Sequence, residues 1–150
     1  MAILNLVKIP NDKLRVKSNI VKRVDSEVKK IVDDMLDTMY HANGIGLAAI
    51  QVDIPKNIIV IDLQENVQKN PLVLINLKIN HFSKKKDLMS EQCLSVPGKS
   101  IDVLRSIGIK GEYWDYNGNN KNIKARGFLS RVIQHEYDHT IGKLLVDYLV

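Results

Sequence analysis

The sequence predicts an α+β fold, in which small mixed or antiparallel β-sheets pack around a central helix and an amphipathic helix lies nearer the N-terminus. Helical apolar spacing in the first third, short β-branched runs in the middle and a second helical pattern near the end predict it. Helices and strands do not alternate regularly, which argues against a βαβ fold. Since 150 residues, 45% of them hydrophobic, suffice for one core, we expect a single domain over residues 1–150.

The N-terminal helix is predicted from apolar residues at three- and four-residue steps, the spacing that places side chains on one helical face. Asp25 is suited to the N-cap, Glu27 to the first turn, and Asn43-Gly44 to the end of the helix. The apolar face comprises Val28, Ile31, Val32, Met35, Leu36, Met39 and Tyr40.

Three runs rich in β-branched residues predict strands at 57–62, 72–79 and 107–113. The segment 116–119 contains an Asn-Gly pair, which tolerates positive φ, so the third strand should turn back into 121–125 as a hairpin.

The second helix should begin near Gly127, end at Gly142 and contain the sequence His-Glu-Tyr-Asp-His at 135–139. Histidines at i and i+4 lie on one helical face, so His135 and His139 can reach one cation. Glu136 can then act as general base on a metal-bound water. The pattern also occurs by chance, but unpaired polar groups in a buried helix cost about 1 to 3 kcal/mol each, and a cation would satisfy them.

Cys93 is the only cysteine and is the candidate third ligand. Three ligands leave a fourth position for water, the arrangement of catalytic zinc-type sites. From the residues alone, a buried inert thiol remains an open alternative. A cysteine nucleophile is disfavoured, because both helical histidines are better used on a metal.

The segment 44–49 matches the GxGxxA pattern of dinucleotide-binding loops. That reading requires a strand before the glycines, whereas here a helix is predicted, so we reject it. A loop without side chains, which lets another backbone approach, is the better explanation, with Gln51 following as an amide donor.

Three segments, 44–51, 91–95 and 134–139, together resemble the signature motifs of peptide deformylases in order and spacing, and the resemblance extends over essentially the whole chain. It implies Cys93, His135 and His139 as metal ligands and Glu136 as the acid/base. It also implies that Gln51 and the backbone N–H of Leu94 stabilise the oxyanion.

The activity implied by this resemblance is hydrolysis of the N-formyl group of formylmethionyl nascent peptides, which releases formate. The implied cofactor is one divalent cation, Fe²⁺, with Zn²⁺, Ni²⁺ or Co²⁺ able to replace it. The substrate backbone would lie beside Ile45 and Gly46 as an added strand. Phe128, Val132 and His135 would contribute to a methionine pocket, and Arg131 would line its rim.

Three departures from the family pattern bear on function. Gln92 replaces the glycine that usually precedes the ligand cysteine. Ser100 stands where many relatives carry arginine, which leaves Arg105 as the expected ion-pair partner of Glu91 and brace of the cysteine loop. The chain stops at Val150 without the family's common additional C-terminal helix, so ribosome docking through such a helix is not carried over.

Composition sets the remaining expectations. Apolar stretches are too short for a membrane span and the first residues do not resemble a secretory signal, so we expect a soluble intracellular protein. We expect a monomer, located in the bacterial cytoplasm or, for a phage-encoded form that the short C-terminus would suit, in the host cytoplasm. The net charge of +5 favours polyanions, but the only basic run, 84–86, lacks interleaved aromatics, so we expect no specific nucleic-acid binding.

Two alternatives to a deformylase remain. Another metallohydrolase such as a peptidase would share the helical motif. A basic binding module with a structural metal would require a fourth ligand, and none stands in an obvious motif.

Overall fold

The computed structural model describes residues 2–65 and 68–149 and has an α+β fold with antiparallel sheets, as predicted. Its α-helices are α1 (Ser26–His41) and α2 (Gly127–Thr140). The strands are β1 (Gly46–Ala48), β2 (Ile58–Ile61), β3 (Leu72–Phe82), β4 (Lys86–Cys93), β5 (Val96–Ser106), β6 (Gly108–Trp114) and β7 (Asn120–Arg126). A five-stranded sheet has the order β1-β2-β3-β6-β7, and β4 and β5 form a separate two-stranded sheet.

The five-stranded sheet is covered on both faces around β2. Ile58 and Val60 pack in the cluster that includes α1, whereas Ile59 and Ile61 pack in the cluster that includes α2. All four are at most 1% exposed. Successive strand residues point to opposite faces, so a strand with helices on both sides must be apolar at every position. This explains why the run around β2 is uninterrupted.

Helix α1 begins and ends where the sequence predicts. The carboxylate of Asp25 accepts a hydrogen bond of 3.0 Å from the backbone N–H of Val28. At the other end Asn43 adopts a positive φ of 57°, and the N–H of Gly44 bonds to the carbonyl of Met39 at 2.9 Å.

The strands predicted at 57–62, 72–79, 107–113 and 121–125 correspond to β2, β3, β6 and β7. The turn between the last two contains Gly118 with φ of 81°, and its N–H bonds to the carbonyl of Asp115 at 2.9 Å. The hairpin prediction is therefore confirmed.

Two parts of the chain differ from the prediction. The glycine segment is not a simple loop, because Gly46–Ala48 forms β1, paired with β2, and Ala49–Val52 is a short 3₁₀ helix. The hairpin of β4 and β5 was not predicted at all. Helix α1 precedes the glycines, in agreement with rejection of a dinucleotide-binding loop.

Helix α2 lies between the two sheets and carries residues 135–139. It contacts β1, β2, β6 and β7 of the five-stranded sheet on one side and β5 on the other. Within the described ranges, no helix has the length and apolar character needed to cross a membrane.

Candidate metal centre

Helix α2 and the end of β4 bring three potential ligands together. Cys93, His135 and His139 are 8%, 8% and 1% exposed, and their ligand atoms all lie within 4.8 Å of one another. The Cys93 Sγ and the His139 Nε2 are 3.4 Å apart. One sulfur and two imidazole nitrogens at these separations form a donor set suited to a divalent transition metal.

The carboxylate of Glu91 fixes the ring of His135. The Nδ1 of His135 lies 2.9 Å from the Glu91 Oε1, which leaves Nε2 as the ring nitrogen available to a cation. A carboxylate on the far nitrogen of a ligating histidine sets both its tautomer and its ring orientation.

Glu91 is itself held by two buried guanidinium groups. Arg105 donates from Nε and NH2 at 2.6 and 2.8 Å, and Arg131 donates from NH1 at 2.5 Å. Burial alone raises the pKa of Glu91, but hydrogen bonds from Arg105 and His135 outweigh it and lower the pKa to about 2. Glu91 is therefore a carboxylate at neutral pH, and the predicted pairing of Glu91 with Arg105 is confirmed.

Arg131 lies in the cavity wall rather than on its rim. Its side chain is 4% exposed, and besides Glu91 it bonds to the Val103 carbonyl at 2.9 Å and to Asp87. The expectation of a rim position is corrected for this reason, since protein acceptors occupy the guanidinium.

The two histidines experience opposite electrostatic environments. Burial lowers the pKa of His135, but hydrogen bonds to Cys93 and Glu91 outweigh it and raise the pKa to about 10, so this position attracts positive charge. Burial and the charges of His135 and Arg105 lower the pKa of His139 to about 3, which keeps that imidazole neutral. The preference for positive charge at His135 and the neutral imidazole of His139 both suit a site for a cation.

Glu136 points into the same region. It is 4% exposed, and burial, only partly offset by the nearby charge of His135, raises its pKa to about 7. Among the side chains that the structure describes, its Oε1 is one of a few buried polar atoms without a hydrogen-bond partner. A carboxylate with this pKa can both accept and donate a proton near neutral pH.

The side chain of Glu136 explains the glycine at position 46. A Cβ on Gly46 would lie 2.7 Å from the Glu136 Oε2, closer than real Cβ contacts allow. Within the chain, the close approach at this segment is made by the Glu136 carboxylate, and the expected approach of a substrate backbone stays a prediction.

Gln51 lies beside the cysteine, held at both ends of its amide. Its Oε1 accepts from the backbone N–H of Ala48 at 2.9 Å, and its Nε2 donates to the Ser95 Oγ at 3.1 Å and contacts the Cys93 Sγ at 3.6 Å. The amide is 1% exposed and its N–H group is therefore fixed next to the sulfur.

A cavity of about 660 Å³ opens onto this cluster. On its rim the Gln92 amide donates to the Ser100 Oγ at 3.1 Å, so the two departures from the family pattern bond to each other. His139, nearly fully buried, is not part of the lining. The cavity is lined by residues that were predicted to bind substrate or to act in catalysis, namely Ile45, Gly46, Gln51, Leu94, Phe128, Arg131, Val132 and Glu136.

Sequence reasoning missed two contacts of this site. One is the hydrogen bond that the Glu91 carboxylate accepts from His135, and the other is the hydrogen bond that the Gln51 amide donates to Ser95. The sequence contained a signal for the first contact, because Glu91 and the proposed ligand Cys93 are two residues apart on one strand and therefore lie on the same face. Ser95 had none beyond its place in the motif.

Comparisons with known proteins give the family and the fold that this chain resembles. The Polypeptide deformylase family model matches residues 3–150. The peptide deformylase of Rickettsia akari is 44% identical, over 99% of this chain and 89% of its own. The structure of peptide deformylase from Ehrlichia chaffeensis in complex with actinonin is 41% identical with a TM-score of 0.96, covering 100% of this chain and 90% of the other. A Met-Ala-Ser-bound class I type b peptide deformylase from Acinetobacter baumannii is 30% identical with a TM-score of 0.92, covering 99% of each chain.

Proposed function

The chain belongs to the polypeptide deformylase family of metal-dependent hydrolases, which remove N-formyl groups from nascent peptides, and we propose that Cys93, His135 and His139 hold its catalytic cation. The convergence of these three ligand atoms within 4.8 Å supports this assignment. The proposed metal is Fe²⁺, with Zn²⁺, Ni²⁺ or Co²⁺ able to replace it, since thiolate and imidazole ligands accept several of these ions. When bound, such a cation lowers the pKa of water and polarises a carbonyl.

Glu136 carries the proton in the proposed mechanism. It takes a proton from the attacking water, which adds to the formyl carbon, and it delivers that proton to the leaving amine nitrogen as the C–N bond breaks. The products are formate and a free N-terminal amine. A pKa near neutrality, a place in the cavity lining and a buried Oε1 without a hydrogen-bond partner in the described structure support both steps.

Gln51 and the backbone N–H of Leu94 are the proposed donors to the oxyanion. The Gln51 amide is held by Ala48 and Ser95, so it loses little freedom when the oxyanion forms. A preorganised donor of this kind typically lowers the barrier by about 3 kcal/mol.

The peptide is proposed to bind along β1. This strand is an edge of the five-stranded sheet, and its start, at Ile45 and Gly46, lines the cavity, so an extended peptide can add as a further strand. The methionine side chain would then enter the part of the cavity lined by Phe128, Val132 and His135, with Arg131 in its wall. The Met-Ala-Ser complex of the Acinetobacter relative supports a peptide ligand of this kind.

A structural metal in a binding module is the weaker interpretation. Such a site needs four protein ligands, whereas the cluster found in the described part of the chain has three.

We also propose that residues 1–150 form one domain, since the N-terminal segment bonds to the end of α2 through Ser18 N–H and the Thr140 carbonyl at 2.9 Å.

The same proposal places the enzyme as a monomer in the cytoplasm, where formylated chains leave the ribosome. Binding to specific nucleic acids and docking on the ribosome are not part of it.

The test compares the wild type with Glu136→Gln on formyl-Met-Ala-Ser. Loss of the proton carrier should lower kcat by about 10³-fold, while metal content stays the same. Acetyl-Met-Ala-Ser is the control substrate, because a different metallohydrolase would not distinguish the two acyl groups. Equal rates on both substrates, or an active Glu136→Gln variant, would contradict the proposal.

A further inference from the structure

The C-terminal 3₁₀ helix, Leu145–Tyr148, reaches back to α2 beneath the metal centre. The Tyr148 hydroxyl donates to the Asp138 Oδ2 at 2.5 Å and lies 3.3 Å from NH1 of Arg105. Asp138 is adjacent in sequence to the proposed ligand His139, and its carboxylate is 15% exposed.

Arg105 connects this contact to the proposed ligands. Its NH1 donates to the Asp138 Oδ2 at 3.0 Å, while its Nε and NH2 donate to the two oxygens of Glu91. Glu91 in turn contacts the Nδ1 of His135 at 2.9 Å. A continuous series of hydrogen bonds therefore runs from Tyr148 through Asp138, Arg105 and Glu91 to His135.

The two middle members of this series, Arg105 and Glu91, have little freedom to turn away. The Arg105 and Glu91 side chains are 4% and 6% exposed, and the guanidinium plane is fixed by acceptors on two sides. On the Asp138 side, the hydrogen-bond partners that the structure describes for this guanidinium are the Asp138 carboxylate and the Tyr148 hydroxyl, and both oppose its rotation. Hydrogen bonds beyond the ligands typically alter metal affinity by about 10 to 100-fold.

We propose that Tyr148 is a positioning residue for the metal centre. Its hydroxyl holds Asp138 and Arg105 in place, and Arg105 holds Glu91, which orients the His135 ring toward the cation. The proposal rests on the assignment of His135 as a ligand. It makes Tyr148 part of the metal site through hydrogen bonds to Asp138 and Arg105.

The tyrosine ring allows the hydroxyl to be tested separately. The ring lies under two cations, with the Lys143 Nζ at 4.3 Å and the Arg105 Cζ at 5.0 Å from its centroid. Tyr148→Phe keeps these contacts and removes only the hydroxyl.

The neighbouring residue provides a matched control. The Asp147 carboxylate forms two bonds with Arg15, at 2.6 and 2.8 Å, and accepts from the Leu144 N–H at 2.9 Å, so it anchors the same 3₁₀ helix without joining the series. Asp147→Asn should lower the Tm and leave the metal site unchanged.

The experiment measures release of Co²⁺ or Zn²⁺ from the loaded full chain to an excess of chelator, together with Tm. Tyr148→Phe should release metal about 10-fold faster than the wild type. Asp147→Asn should release it at the wild-type rate. In an Asp138→Asn background, Tyr148→Phe should add little, because both changes interrupt the same series.

Wild-type release from Tyr148→Phe would overturn the proposal, as would equal acceleration by Asp147→Asn, which would indicate general loosening of the C-terminal segment. If instead Cys93→Ser and His135→Ala bound the metal as tightly as the wild type, the ligand assignment itself would be wrong. The two failures are therefore distinguishable.

Discussion

The five-stranded sheet and the β4–β5 hairpin differ in how much buried charge contributes to their stability. Every residue of β2 is buried and apolar, whereas β4 buries only Glu91 and Cys93 among eight residues. Leu88 and Leu104, directly opposite each other in the hairpin, are 62% and 55% exposed. The sheet is thus held by apolar area, whereas the hairpin, which supplies the sulfur ligand, combines a small apolar cluster around Val96, Ile101 and Val103 with charged groups that converge on Glu91.

These forces respond differently to mutation. Apolar burial is graded, because each methylene removed lowers stability by a similar amount. A buried ion pair is not graded, since removing one partner leaves the other charge uncompensated at about 3 to 5 kcal/mol. A single substitution at a buried charge of the hairpin should therefore lower the free energy of unfolding more than one apolar truncation in the sheet. It should also lower metal binding.

The largest effect is expected for Glu91→Gln. The amide retains the shape of the side chain but leaves Arg105 and Arg131 without their shared carboxylate and His135 without its anionic partner. We expect a loss of about 4 kcal/mol in the free energy of unfolding and a large loss of bound metal. Urea unfolding and metal analysis of the purified protein measure both.

Glu112→Gln is the matched control for this change. Glu112 lies on β6, is exposed, and the same substitution there should be neutral within about 0.5 kcal/mol. Unchanged stability and metal content in Glu91→Gln would show that the charges do not hold the hairpin.

Ile59→Ala tests the sheet by the same measurements. Ile59 is fully buried against the cluster that includes α2, and its truncation should lower stability by about 3 kcal/mol. Metal bound per folded molecule should remain at the wild-type level, because no ligand contact changes. Metal loss as severe as in Glu91→Gln would mean that the two regions are not energetically separate.

Asp62 is a buried carboxylate at the end of β2 and offers a pH test of the sheet region. Burial alone raises its pKa, but hydrogen bonds from the Tyr40 hydroxyl and the N–H groups of Gln64 and Asn70 give a net lowering from 3.8. Its ionised form therefore stabilises the fold above pH 3.8, and this contribution is lost as the pH falls through the lowered value.

Asp62→Asn should consequently reduce stability by about 1 kcal/mol at pH 7. The difference from the wild type should shrink as the pH falls below 3.8, with metal content unaffected throughout. Unfolding curves recorded from pH 7 to pH 2.5 test this, and a difference independent of pH would contradict the assignment.

The smallest effect is expected on the outer face of the hairpin. Replacing Leu88 and Leu104 together by threonine should change stability by no more than about 0.5 kcal/mol, because both side chains are mostly exposed. A larger loss, seen by thermal unfolding, would mean that apolar contacts on this outer face also support the hairpin.

The same contrast explains what the sequence could predict. Helix α1, the strands β2, β3, β6 and β7, and helix α2 follow apolar periodicity or turn residues, and these elements were found where expected. The hairpin was not predicted, because two of its buried positions carry the charged residues Glu91 and Arg105. A prediction from apolar periodicity assigns charged residues to the solvent-facing side of a strand. The proposed ligands were predicted because His135 and His139 lie in one short helical motif and Cys93 lies in another short motif. The roles of Arg131 and Tyr148 depend on contacts between distant segments, which no local pattern records.

The distance of two residues between Glu91 and Cys93 has a consequence for insertions and deletions. Both side chains face inward only because Gln92, between them, faces outward. Removing Gln92, or adding one residue beside it, would turn either the sulfur or the carboxylate toward solvent. Length variation in related chains should therefore be tolerated in the turn between β6 and β7 and be absent from this tripeptide.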